Sequence, residues 1–422
     1  MTLPHSITPG LYEPQDQLFL WALLVPDTPT LLGEIRLSPF VADCATFSYA
    51  SSWQDFALSE DLPLMAGQSF SAGERGSAPG ALDDARPDRW GERIIRHVDR
   101  PKRLSILEML LFAGDDRFGA LGVSVSAEHY IPRNLGPYPQ LRDVGELARA
   151  VEDVQAQAPI TPAMQRLLQP GVTLGGARPK ALLQTDSGPC IIKFSELDDE
   201  VDTPLIEHAT MTLARLAGIR TADTDVLALP VRHGKKRHAL TIQRFDRIGQ
   251  ARMHCLSAKT ALRAAGLPED YSALAGILLR LGHPDRQNAQ REELFKRMVF
   301  NILMDNTDDH ERNHSIMLNF DGYYDLTPAY DMVPSLQNLG YQAMGVGRLG
   351  AESSLENALS DINEYGIKLP RAIELMQQVA AVVEHWPAHF SALGVSRGDM
   401  ELLSASIDRD ALRAQRRVVL GA

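Results

Sequence analysis

The residues Asn306-Thr307-Asp308-Asp309-His310-Glu311-Arg312-Asn313 gather carboxylates, amides, an imidazole and a guanidinium into one short stretch. Asp308 and Asn313 lie five positions apart, the separation at which phosphoryl-transfer enzymes place a base and a metal-binding amide. A further acid, Asp331 in Leu326-Thr327-Pro328-Ala329-Tyr330-Asp331, follows eighteen residues after Asn313. Transfer of a phosphoryl group from a metal nucleotide needs an acceptor for the hydroxyl proton and oxygen ligands for magnesium. These three side chains can supply both. A plainer alternative stands beside this one, because Asp, Asn and Thr also gather in turns, where their short side chains bond the local backbone.

The elements that must position this chemistry follow from the pattern around it. Leu294, Phe295, Met298, Val299, Ile302 and Leu303 recur at helical spacing and predict a helix with one buried face leading into the polar stretch. Upstream, Thr173-Leu174-Gly175-Gly176-Ala177-Arg178-Pro179-Lys180 pairs two glycines, which let backbone approach a polyanion, with two cations. A hairpin is expected next, from Ala181-Leu182-Leu183-Gln184 through a turn at 186–189 to Cys190-Ile191-Ile192-Lys193-Phe194. Lys193 is thus a strand lysine suited to nucleotide phosphates, or an edge-strand lysine that keeps its amine in water. Thr203-Pro204 opens an amphipathic helix, in which Glu207 is either a partner for Lys193 or a first-turn acid favoured by the helix dipole. Strands are expected at 225–230 and 239–245, the second leading into Gln243-Arg244-Phe245, whose backbone can bond an adenine edge. Helices are expected at 271–281, at 291–304 and through most of 353–417. The glycine-rich stretch 338–350 reads as a mobile, substrate-facing loop.

The chain has 422 residues, long enough for two or three domains, and its net charge of −12 disfavours broad contact with nucleic acid or anionic membranes. A compact basic run at 233–238 reads first as a solvated hairpin tip. Cys44, Cys190 and Cys255 are scattered, which argues against a disulfide framework or zinc site and suits a reducing compartment. No signal-like N-terminus and no apolar run of spanning length is seen, so a cytoplasmic location without membrane contact is expected. Residues 1–130 predict a small α+β domain, with strands near 19–25, 31–37 and 47–49, and a helix at 106–112 capped by Ser105. Prolines at 132, 137, 139, 159, 162 and 170 mark 131–170 as a connector holding one helix near 144–154. A nucleotide-binding sheet lobe at 171–250 and a helical lobe at 251–422 would complete the chain.

Taken in order, Gly114-Asp115-Asp116-Arg117-Phe118-Gly119-Ala120-Leu121, the loop 175–180, Ile191-Ile192-Lys193-Phe194, Arg244-Phe245-Asp246-Arg247, 306–313 and 326–331 resemble the HipA serine/threonine kinases, toxins of bacterial toxin–antitoxin pairs. The resemblance covers most of the chain. It implies a bilobed α+β protein-kinase-like fold with an N-terminal α+β subdomain and a mostly helical C-terminal lobe, the nucleotide lying between lobes. It implies Asp308 as catalytic base and Asn313 and Asp331 as magnesium ligands. ATP would be bound by Gly175, Gly176, Ala177, Arg178, Pro179, Lys180, Lys193, Gln243, Arg244 and Phe245, and by His310, Glu311 and Arg312. Thr173 falls where the family carries an autophosphorylated hydroxyl residue, although serine is the usual residue there, and Arg178-Pro179 departs from the usual Gln-Glu. The partners implied are a small helix-turn-helix, HipB-like antitoxin that makes the main contacts to operator DNA, and a protein substrate such as an aminoacyl-tRNA synthetase. Two further readings stay open: a catalytically weak binding module acting as co-repressor, and a small-molecule kinase.

Overall fold

The structure is a computed structural model, and it describes residues 6–8, 11–65, 67–133, 137–168, 176–231 and 236–421. Packing divides the chain into two compact units, one comprising 1–197, 244–256 and 263–265, the other 198–243, 257–262 and 266–422.

In the first unit a five-stranded antiparallel sheet is built from Gln17–Ala22, Thr30–Leu37, Ala45–Tyr49, Phe70–Ser71 and Leu121–Ser124. Gln17–Ala22 lies between Thr30–Leu37 and Leu121–Ser124, so the sheet closes with a strand from late in the unit. Alternation decides its faces: along Ala45–Tyr49 every second residue is buried, as expected where one face of a sheet packs on a core. The helix Ile106–Phe112 starts in a capping box, in which the Ser105 hydroxyl accepts from the Leu107 amide and Glu108 accepts from the Ser105 amide. Glu108 is fully buried because it also receives Arg103, so the cap is tied to an ion pair. The expected helix in the proline-rich stretch is Val144–Gln155, with Val144, Leu147, Ala148, Ala150, Val151 and Val154 buried on one side. Lys180–Thr185 and Gly188–Lys193 form the expected antiparallel hairpin, joined by a two-residue turn.

In the second unit, Thr224–Ala228 pairs antiparallel with His238–Gln243, and Ser315–Leu318 with Tyr324–Leu326. The remainder is mainly helical. Gln287–Leu303 packs against both Tyr271–Leu281 and Leu369–Val383. All six apolar residues that predicted this helix are buried, but so are Phe300 and Asn301 on its other side. Periodicity marked one buried face, whereas a helix with packed neighbours around it is buried nearly all round near its end. Among the described residues no helix is long and apolar enough to cross a membrane.

The stretch 338–350 is not the free loop its glycines suggested. Backbone bonds run from Gln342 to Ala351 (2.7 Å), Ser353 to Gly340 (3.0 Å), Ala343 to Thr307 (3.0 Å) and Gly345 to Glu269 (3.1 Å). A Cβ on Gly347 would meet the Asn357 carbonyl at 2.1 Å, and one on Gly345 would meet Asp270 Cβ at 2.7 Å. These glycines permit close backbone approach rather than motion.

Candidate functional site

The helix Gln287–Leu303 ends in a Schellman turn. Its cap is Met304, the Asn306 amide donates to the Asn301 carbonyl (2.9 Å), and Asp305 between them takes the left-handed conformation at φ 55°. Asn301, on the last helical turn, then organises the loop with its side chain. Its Oδ1 accepts from Asn306 (3.1 Å), and its Nδ2 donates to Asp309 Oδ2 (2.8 Å). The same Asp309 oxygen receives the Tyr271 hydroxyl and lies 2.8 Å from His314 Nε2. Burial alone would favour the neutral acid, but the neighbouring His314 and the hydrogen bonds from His314 and Tyr271 outweigh it and hold the Asp309 carboxyl below the usual range. Adjacent acids therefore have opposite environments: Asp309 is buried and bonded inward, while Asp308 is exposed.

Asn313 is joined to this turn through its Nδ2, which donates to the Asp308 carbonyl at 3.3 Å, and through its amide, which donates to His310 O at 2.8 Å. Its Oδ1 is buried and has no hydrogen-bond partner. Such an orphaned acceptor is costly unless something fills it. The segment that holds Asp331 is tied to this turn through its neighbour. The Tyr330 hydroxyl donates to the Arg312 carbonyl (3.0 Å) and lies 2.6 Å from Ser315 Oγ, so the residues flanking Asn313 and Asp331 are directly bonded. The strand before Asp331 is pinned in turn: the Leu326 amide donates to Gln290 Oε1 (2.6 Å), and Arg297 and Arg220 donate to the Thr327 and Leu326 carbonyls (2.6 and 2.8 Å). Asp331 itself is half-buried at φ 59°, a left-handed conformation that is strained for a residue with a side chain.

Asp308 and Asn313 thus share one turn, and Tyr330, the residue before Asp331, is bonded to Arg312, the residue before Asn313. Among the described residues no group of three or more His, Cys, Asp or Glu encloses a metal. An amide oxygen without a partner and a nearby carboxylate nonetheless suit magnesium, which takes few protein ligands and completes its shell with phosphate and water. Glu311 is paired with Lys259 at 3.1 Å, which with backbone bonding offsets burial and holds its carboxyl below the usual range. His310 is half-buried with Nδ1 unpartnered, and Arg312 is exposed.

The remaining expected nucleotide residues fall as follows. Thr173 and Gly175 lie outside the described residues, as do 233–235 of the basic run. Gly176 is half-buried at φ 68°, Ala177 is exposed, Arg178 is half-buried and Pro179 is buried. The Lys180 ammonium is fully buried and donates to the Asp88 carboxylate and the Gly176 carbonyl, so its charge is engaged by protein. Burial pushes Asp88 up, with Lys180 opposing. Lys193 is buried at the end of its strand and stands opposite Lys180 in the hairpin register. In the second unit Gln243 is half-buried, its amide bonded to Asp223 O (2.8 Å).

Arg244 belongs to a lattice in the first unit. Its guanidinium donates to both Asp246 oxygens (2.9 and 2.7 Å) and to the Asp116 and Arg117 carbonyls (2.8 and 2.9 Å). Arg247 donates to Asp246 (2.9 Å) and to the Gly119 and Arg117 carbonyls (3.0 Å each), and the Gly119 amide donates back to Asp246 (2.9 Å). Phe245 packs edge-on against Phe118 at 6.0 Å. The two motifs at 114–121 and 244–247 are complementary halves of one buried structure.

Sequence reasoning missed Asn301, Tyr271, Asp309 and Tyr330 as organisers of the loop, and Asp88 as the partner of Lys180. The His314–Asp309 and Asn301–Asn306 pairs, each five apart, carried a local signal, whereas Tyr271 and Asp88 are 38 and 92 residues from their partners.

Residues 172–386 match the family model described as the HipA-like C-terminal domain, and 29–124 match the HipA N-terminal domain. A Haemophilus influenzae protein provisionally named a kinase is 28% identical over 138 residues, 30% of this chain and 40% of that protein's length. The serine/threonine-protein kinase toxin HipA of Shewanella oneidensis is 24% identical over 347 residues, 72% of each chain. The solved complex of S. oneidensis MR-1 HipA with HipB and operator DNA contains a chain with the same α+β fold, at a TM-score of 0.64, 18% identity, and coverage of 96% of this chain and 97% of that one. With one domain model spanning about half of its length and a second spanning most of its first hundred residues, the chain belongs to the HipA family.

Proposed function

We propose that the protein is an ATP- and magnesium-dependent serine/threonine protein kinase and the toxin of a toxin–antitoxin pair. The observation that carries this reading is the division of labour within 306–313: Asp309 and Asn306 hold the loop, Asp308 faces solvent, and Asn313 keeps a buried oxygen without a partner. Asp308 would accept the proton of a serine or threonine hydroxyl as its oxygen bonds to the γ-phosphorus and the bond to ADP breaks. Asn313 Oδ1 and the Asp331 carboxylate would hold magnesium, which when bound neutralises phosphate charge. Lys193 and the backbone of 175–180 are assigned to the phosphates and Gln243 to Phe245 to the adenine by resemblance. The Asp88 partner of Lys180 makes that lysine a brace for the glycine turn.

The named activity of the S. oneidensis relative supports a protein substrate, and its complex with HipB and operator DNA supports a small helix-turn-helix antitoxin as partner. By the same resemblance we assign an aminoacyl-tRNA synthetase as the substrate class and Thr173 as an autophosphorylation site. The test is incubation of the purified protein with labelled ATP and magnesium, with and without cell lysate, followed by mass spectrometry of labelled bands. Label on Thr173 and on a lysate protein, both lost in Asp308→Asn with folding unchanged, is expected. No label from a protein whose intact mass shows no prior phosphate would refute catalysis and leave the binding-module reading.

A further inference from the structure

Asp305 is the residue through which the helix Gln287–Leu303 turns into the catalytic loop, three positions before Asp308. A left-handed residue is required there, and glycine is the usual choice because a Cβ is strained in that conformation. Aspartate at φ 55° accepts this strain, and its side chain shows what is gained. The carboxylate is fully buried, with Arg409 donating to Oδ1 and the Ser406 hydroxyl to Oδ2. Its carbonyl accepts from the Ser335 amide (2.9 Å) and hydroxyl (3.0 Å), and Ser335 Oγ lies 2.6 Å from Thr307 Oγ1. Arg409 also donates to Asn338 Oδ1 at 3.2 Å, Ser406 Oγ lies 3.1 Å from the same oxygen, and Asn338 is itself left-handed at φ 53°. The end of the helix Arg397–Ile407 and the turn that leads from it into Asp410–Leu420 thus grip both the entry to the catalytic loop and the segment that follows Asp331.

We propose that Ser406 and Arg409 are positioning residues for phosphoryl transfer: through Asp305 and Asn338 they fix the direction in which Asp308 leaves the helix relative to the Asp331 segment. The proposal rests on the kinase reading above. Neither residue touches the reacting groups, so their loss should affect the chemical step more than nucleotide affinity. Misplacement of a catalytic group by about 1 Å can cost on the order of 100-fold in rate.

The experiment compares wild type, Ser406→Ala, Arg409→Met, the double variant and the conservative Arg409→Lys, with Asp308→Asn as the chemistry control. Turnover, KM for ATP, thermal melting and amide hydrogen exchange are read on each. Expected are a fall in kcat of about 10-fold for each single variant and about 100-fold for the double, with KM for ATP changed less than about threefold. Exchange should quicken at 304–310 and 335–338 and nowhere else in the second unit, and Arg409→Lys should recover most of the rate. A double variant with kcat within about twofold of wild type, or with unchanged exchange at 304–310, overturns the proposal. So does a rate loss that follows exchange across the whole unit, since that is general destabilisation. Absence of turnover in the wild type would instead refute the kinase reading, and exchange at 304–310 would still decide whether the brace exists.

Discussion

Replacing Asp246 by alanine should destabilise the first unit before it does anything else. The carboxylate receives two nitrogens of Arg244, one of Arg247 and the Gly119 amide, and both it and Arg244 are buried away from water. Removing one partner of a buried ion pair typically costs about 3–5 kcal/mol, because the other charge stays buried. Asp116 remains nearby, with Oδ1 at 3.9 Å from Arg244 and 3.5 Å from Arg247, which places the loss near the lower end, at about 3 kcal/mol. For a folding unit of about two hundred residues this lowers Tm by roughly 6–12 °C. Three of the four tryptophans, Trp21, Trp53 and Trp90, lie in this unit, so intrinsic fluorescence follows its melting. Burial opposes ionisation of Asp246, but Arg244 and Arg247 hold its carboxyl far below the usual range. A depressed carboxylate contributes all of its stability above the unfolded value near 3.9 and loses it only as pH falls through the folded value, so the deficit should be equal at pH 6 and pH 8. A Tm within about 2 °C of wild type, or a loss of phosphoryl transfer with Tm unchanged, would show that the 244–247 motif serves a ligand rather than the fold.

Other consequences follow from single residues. Asp331→Gly should abolish phosphoryl transfer while leaving Tm equal or up to a few degrees higher, because glycine relieves a left-handed strain of about 1–2 kcal/mol; a clear fall in Tm would make Asp331 a structural acid. Asn313→Ala should raise the magnesium concentration needed for half-maximal rate at least about tenfold, and an unchanged magnesium dependence would remove Asn313 from the metal. His254 is buried with Nε2 2.8 Å from the Leu58 carbonyl, and burial pushes its pKa down to about 4. Since the unfolded imidazole takes its proton near pH 6.5, stability of the first unit should fall as pH drops from about 6.5 to 4, by up to about 3 kcal/mol. His254→Gln should flatten that limb of the Tm–pH curve; an unaltered limb would assign the acid sensitivity elsewhere.

Local pattern was enough for much of this molecule, and the reasons are physical. A helix such as Gln287–Leu303 announces itself through the spacing of Leu294, Phe295, Met298, Val299, Ile302 and Leu303, because burial of one face repeats every three to four residues. The hairpin Lys180–Lys193 and the capping box at Ser105 are equally local, since a turn or cap is settled within a few bonds of backbone. The order of the candidate residues from Asp308 through Asn313 to Asp331 is local in the same sense: their spacing along one loop and the segment after the next strand is a property of the chain. What the sequence could not supply was the partner of each buried charge. Lys180 read as a ligand residue, Asp309 as part of the polar stretch, and Arg117 and Asp246 only as motif positions, yet these four and Asp305 are each buried and bonded to groups brought from elsewhere in their unit. Desolvation makes an unpaired buried charge intolerable, so every such residue demands a partner, but only packing decides which one. The glycines at 345 and 347 show the same limit, because a missing side chain reads as freedom in one dimension and as close contact in three. The sequence by itself therefore determined which residues could do chemistry, and the tertiary structure decided that Asp308 is left exposed while Asp309, beside it, is spent on holding the loop.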